Sequence, residues 1–203
     1  MNNSDIYSED AVAFALYKQS IAGSSQVFFK FHHNLSFRVD REWYYYCSPE
    51  VDVIEVRKDG IIVAYELKGS RKHKSGLPDF PDVFDAMGQA LAYLDLPGVH
   101  EKSGRSLFVG GIFDFVNVVC ARQTPDLDAR ETRCLSIVPI GAMLALPDGR
   151  LVTSMEAPRN PSQNRQAKEH FLQNLNTLEK HTIRGRIFQR IESAGERWFA
   201  GGR

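Results

Sequence analysis

Two apolar runs rich in β-branched residues, Val51 to Val56 and Ile61 to Lys68, flank the turn signal Lys58-Asp59-Gly60. That pattern predicts a β-hairpin with Asp-Gly near its tip. The constraint lies in where it carries charge: Asp52 on the first run, then Glu66-Leu67-Lys68 at the end of the second. Side chains two apart on a strand share a face, so Glu66 and Lys68 point the same way, and hairpin pairing can bring Asp52 beside them. Their neighbours are apolar, and ionisable groups gathered on a half-buried sheet are costly unless something compensates them.

A hard divalent cation supplies that compensation. Magnesium prefers oxygen ligands at about 2.0–2.1 Å and keeps several waters, so Asp52, Glu66 and the backbone carbonyl of Leu67 make a suitable incomplete shell. Manganese is expected to substitute for it. Such an ion stabilises charge developing on a scissile phosphate, and Lys68 would orient the attacking water or offset the phosphate charge. The implied reaction is phosphodiester hydrolysis. A same-face Glu-x-Lys pair also arises on solvated edge strands, and only its combination with other elements separates the two readings.

One such element is Glu9. A helix is expected from Ser4, as its cap, to Gln19, and Glu9 shares a face with Val12, Ala13, Leu16 and Tyr17. It is a candidate auxiliary acid and metal ligand, or else a first-turn acid that complements the helix dipole. Gln26 to Val56 reads as two or three strands, with Val27, Phe29 and Phe31 alternating onto one face. Gly69 to Phe80 reads as a mobile polar loop in which Arg71, Lys72 and Lys74 could meet phosphates, unless they simply solvate it. A helix capped near Asp79 then runs to about Leu96, followed by strands at Leu107–Val119 and Leu135–Ile140 and a hairpin turn at Pro147-Asp148-Gly149. Past Pro158 the pattern becomes helical and basic, with eight Lys or Arg against four Glu from Pro161 onward.

Taken together, Asp52, Glu66-Leu67-Lys68 and Glu9 resemble the active-site residues of the PD-(D/E)XK nuclease superfamily, with Pro49-Glu50 an imperfect counterpart of its proline-acid pair. The helical segment Gln89-Ala90-Leu91-Ala92-Tyr93 is similar to the Q-x-x-x-Y element of the subgroup that includes RecB-like nucleases. The resemblance implies an α/β fold, a restriction-endonuclease-like core with a mixed central β-sheet flanked by helices. It further implies that Gln89 supports the active site and that Tyr93 lies near DNA. The expected organisation is a nuclease-like core over 1–158 and a helical, basic extension over 159–203.

Twenty-five basic residues balance twenty-five acidic ones, so contact with a polyanion has to come from a local patch. Three scattered cysteines fit neither a disulfide framework nor a zinc knuckle, and no apolar run is long enough to span a bilayer, so a cytoplasmic setting without membrane contact is expected. The functional expectation is a magnesium-dependent deoxyribonuclease of defence, recombination, repair or mobile-element processing, with a homodimer or a protein partner supplying specificity. The alternative is a nuclease-like module that binds nucleic acid or a protein partner without cutting.

Overall fold

The computed structural model describes residues 8–31, 36–39, 42–46, 50–72, 75, 78–96, 98–100, 110–176 and 185–201. The chain opens with helix α1 (Glu9–Leu16), which a π-helical turn extends to Ile21. Strands β1 (Gln26–Phe31), β2 (Ser36–Val39), β3 (Glu42–Tyr46), β4 (Val51–Val56) and β5 (Ile62–Lys68) follow. The short pair β6 (Arg71–Lys72) and β7 (Pro78–Asp79) leads into helix α2 (Phe84–Tyr93), then β8 (Gly98–His100) and β9 (Phe115–Ala121). Helix α3 (Ala129–Leu135), strands β10 (Gly141–Ala145) and β11 (Leu151–Met155), and helices α4 (Arg165–Gln173) and α5 (Arg186–Gly201) complete it.

Six strands form the central sheet in the order β1-β4-β5-β9-β10-β11. The pairs β1–β4, β4–β5 and β10–β11 are antiparallel, whereas β5–β9 and β9–β10 are parallel. The protein is therefore an α/β fold with a mixed sheet and helices on both faces, as expected for a restriction-endonuclease-like core. A separate three-stranded sheet pairs β2, β3 and β8. The β4–β5 hairpin turns where Asp59-Gly60 predicts: Gly60 has φ 79° and Asp59 Oδ1 accepts from the Ile61 N–H at 3.1 Å.

The central strands are buried on both sides, which explains their near-continuous apolar sequence. Ile54, Val56, Ile62 and Ala64 face a core closed by Ala86, Ala90 and Tyr93 of α2 and by Phe171 of α4. Val53, Val63, Tyr65 and Leu67 face a second core built from α1 and Ile191 of α5. Helix α1 is buried from Ala11 to Leu16 because α5 covers the side that the sheet does not. Its alanines and Gly195 permit the close crossing: a Cβ on Gly195 would lie 1.9 Å from Phe14 Cδ1.

Several boundaries differ from the expected ones. Ser8, not Ser4, caps α1, its side chain accepting from Ala11 N at 3.3 Å, and Ser4 lies outside the described residues. Helix α2 starts at Phe84, with Asp82 Oδ1 accepting from the Phe84 N–H at 2.9 Å, while Asp79 belongs to β7. No strand covers 135–140. A capping box between Asp128 and Glu131 starts α3 upstream, the helix ends at Leu135, and the strand follows only at β10.

Residues 159–173 pack against the strands and helices that precede them. Phe171 is fully buried against Phe28 and Phe31, with ring centroids 6.4 and 6.0 Å apart. Asn160 donates to the carbonyls of Leu94 and Phe113 at 2.9 and 3.0 Å. Buried Asp114 accepts from Lys168 Nζ at 2.6 Å and from the Ile62 N–H at 2.8 Å. Among the described residues no helix is long and apolar enough to cross a membrane. Because Gly195 allows α5 to seat on α1, Gly195→Ala is expected to cost about 1–3 kcal/mol in urea unfolding; an unchanged midpoint would show that α5 packs loosely.

Candidate active site

The register that pairs Val53 with Tyr65 and Ile54 with Ala64 sets Asp52 across from Glu66 at the end of the hairpin. Both acids lie two residues beyond Ile54 and Ala64 on the face that α2 covers. Asp52 is 8% exposed and Glu66 is fully buried. Each carboxylate oxygen already has a donor. Asp52 Oδ2 accepts from the Leu67 N–H at 2.8 Å, and Oδ1 accepts from Lys30 Nζ. Glu66 Oε1 accepts from Lys68 Nζ at 2.5 Å, and Oε2 accepts from the Tyr93 hydroxyl.

Burial pushes the Glu66 carboxyl up to about 7, and the charge of Asp52 adds to the rise against the opposing hydrogen bonds of Lys68 and Tyr93. Tyr93 is raised in turn, first by burial and then by Glu66. For Lys30, burial works against the charged form, but the charge and hydrogen bond of Asp52, with Glu9 behind them, outweigh it and raise the ammonium above its usual value.

Gln89, on α2, accepts from Lys68 Nζ through Oε1 at 3.0 Å and so holds the lysine against Glu66. Tyr93, one helical turn further, corrects an expectation. It is fully buried, so its ring cannot meet DNA, and its hydroxyl instead lies against Glu66 and 2.7 Å from the Glu50 carbonyl. Gln89 and Tyr93 thus reach the two members of the Glu66–Lys68 pair from a single helix face. Glu9 stands at the first turn of α1 with its side chain 44% exposed, 3.6 Å from Lys30 Nζ. It joins the acids through that lysine. Leu67 enters through its N–H.

Lys30 is the residue that sequence reasoning missed. It lies opposite Asp52 in the β1–β4 register, between the pairs Phe29–Val53 and Phe31–Val51, and its φ is 51°. A left-handed conformation costs a non-glycine residue about 1–3 kcal/mol. The consequence is a broken alternation: Val27 and Phe29 face the α1 side, while Phe31 joins Phe28 in the other core. A lysine inside Phe28-Phe29-Lys30-Phe31, two strands from Glu66, was the available signal.

A cavity of about 400 Å³ opens above these residues, lined by Ser8, Glu9 and Asp10 of the α1 entry, by Lys30, by Lys68 to Arg71, and by Pro81 and Arg190. Lys30 and Lys68 line it, while the acids they hold do not. Arg190, from α5, makes two contacts with Asp10, at 2.7 and 3.1 Å. Arg71 is exposed at the mouth; the side chain of Lys72 and all of Lys74 lie outside the described residues.

Other buried acids give the contrast. Glu55, on the opposite sheet face, accepts from Tyr65 at 2.6 Å and Ser24 at 2.5 Å, with Arg57 beside it. Glu131 accepts from Arg122 and from the Val83 N–H. Both are isolated anchors. Asp52 instead adds to the cost of charging Glu66, and two adjacent carboxylates are oxygen donors of the kind a hard divalent cation takes. Among the described residues no group of three or more Asp, Glu, His or Cys side chains is placed to hold a metal ion.

No family model matches the chain, and no curated protein does. A solved structure of a protein of unknown function from Silicibacter pomeroyi aligns over 87% of this chain and 86% of that one, with 13% identity and a TM-score of 0.42.

The folded protein holds the Glu66 proton to a higher pH than the unfolded chain, so its stability falls as pH rises from near 4.5 through about 7. In EDTA, the parent is expected to lose more Tm between about pH 5 and pH 8 than Glu66→Gln does. Parallel profiles would show that Glu66 carries no raised pKa.

Proposed function

We propose that the protein is a magnesium-dependent nuclease of the PD-(D/E)XK type that hydrolyses DNA phosphodiester bonds. The observation that carries this reading is the pair of facing buried carboxylates, each held by a lysine, beneath a cavity lined by Lys30, Lys68, Arg71 and Arg190 together with Glu9 and Asp10. A bound divalent ion would supply Lewis-acid stabilisation of the phosphate and a water of lowered pKa.

The chain's own residues divide the remaining work. Asp52 and Glu66 would hold the ion, with the Leu67 carbonyl as a third oxygen. The Leu67 N–H fixes one Asp52 oxygen, and the other, which Lys30 Nζ holds, is the one that would face the ion. Tyr93 sets the Glu66 carboxylate from one side, and Lys68 reaches its other oxygen. Gln89 keeps the Lys68 ammonium at the cavity wall, where it orients water or offsets phosphate charge. Arg71 and Arg190 offer positive charge at the rim for the phosphates on either side. Sequence preference would come from a second copy or a protein partner, in defence, recombination, repair or mobile-element processing.

Full burial of Glu66 favours a second reading, a module that binds nucleic acid or a protein partner and cuts only when activated, or not at all. Cleavage of linear, circular and single-stranded DNA in magnesium, manganese or EDTA separates them. The parent should cut in either metal and not in EDTA. Glu66→Ala and Lys68→Ala should each lose at least about a hundredfold in rate while remaining folded. Variants that cut like the parent would refute the assignment, and DNA binding without cutting by any form would favour the second reading.

A further inference from the structure

Lys30 has no part in the chemistry outlined above, yet its ammonium occupies the one Asp52 oxygen that the backbone leaves available. Its placement between Asp52 and Glu9 gives it two carboxylates to choose from. Lys68 differs, because Gln89 secures it at Glu66 from a second direction. A cation arriving from the cavity meets the Lys30 side chain, which is 19% exposed, before it meets Asp52.

We infer that Lys30 is a built-in competitor for the divalent ion, holding Asp52 in the metal-free protein and transferring to Glu9 when the ion enters. This rests on the reading of Asp52 and Glu66 as metal ligands. In the metal-free state the ammonium neutralises Asp52 and limits its repulsion with Glu66, so the acids stay packed beneath the cavity. When Lys30 leaves Asp52 it is not stranded, because the half-exposed Glu9 carboxylate already lies 3.6 Å away. Glu9 is thereby reassigned from metal ligand to receiver of the displaced lysine, and an ion must outcompete a resident charge to reach Asp52.

Calorimetric titration with Mn²⁺ alone, together with the Tm shift at saturating Mn²⁺, tests this on the full chain. Lys30→Met keeps most of the side chain's bulk and removes its charge. It should lower the metal-free Tm, bind Mn²⁺ about tenfold or more tightly than the parent, and show a larger Tm gain. Glu9→Gln should bind Mn²⁺ more weakly than the parent, since the displaced lysine then has no partner. Asp52→Asn should abolish binding. If Lys30→Met binds no more tightly than the parent while Asp52→Asn still abolishes binding, the competitor role is wrong and the metal site stands. If parent and Lys30→Met both stay folded and neither binds Mn²⁺, the competitor role and the metal site fail together.

Discussion

The repulsion between two carboxylates facing each other across adjacent strands is the constraint on which the rest of the site depends. Asp52 and Glu66 stand on strands whose neighbouring residues are mostly apolar, where burial and the charge of Asp52 both work against charging Glu66. Every other polar feature nearby answers that problem. The Leu67 N–H, Lys30, Lys68 and Tyr93 each take one carboxylate oxygen, and Gln89 and Glu9 steady the two lysines from behind. A purely structural role needs only one acid with its donors, as at Glu55 or Glu131. Two acids facing each other concentrate negative charge at the open end of the hairpin.

The fold places this pair beneath the cavity, with Lys30 and Lys68 between the acids and solvent. The β4–β5 hairpin is interior to a six-stranded sheet, so its strands cannot move independently, but its open end lies beside the α1 entry and below the cavity. Helices from distant parts of the chain complete that end: α2 brings Gln89 and Tyr93, and α5 brings Arg190 while sealing α1. Helix α5 therefore belongs to both the core and the cavity wall.

The hairpin and its charges were legible because strand periodicity, the Asp-Gly turn and the Glu-x-Lys spacing are local signals. The helix that supplies Gln89 and Tyr93 was legible for the same reason. What was hidden depends on partners far along the chain. Lys30 acquires meaning only once its strand pairs with that of Asp52, and its positive φ then breaks the alternation that Val27, Phe29 and Phe31 suggest. The start of α2 is fixed by Glu131, whose carboxylate accepts from the Val83 N–H. The apolar run after Leu135 resembles a strand, yet the Asp128–Glu131 capping box, which precedes it, commits the chain to a helix first. Tyr93 sits at the motif's position, but only its burial decides that it serves Glu66 rather than DNA.

Whether Asp52 and Glu66 together hold a divalent ion is decided by anomalous diffraction from crystals soaked in Mn²⁺. A peak is expected within direct ligand distance of an Asp52 oxygen and a Glu66 oxygen, with Lys30 withdrawn toward Glu9. Crystals without a peak there, in which Lys30 still holds Asp52 at saturating Mn²⁺, would rule the metal site out.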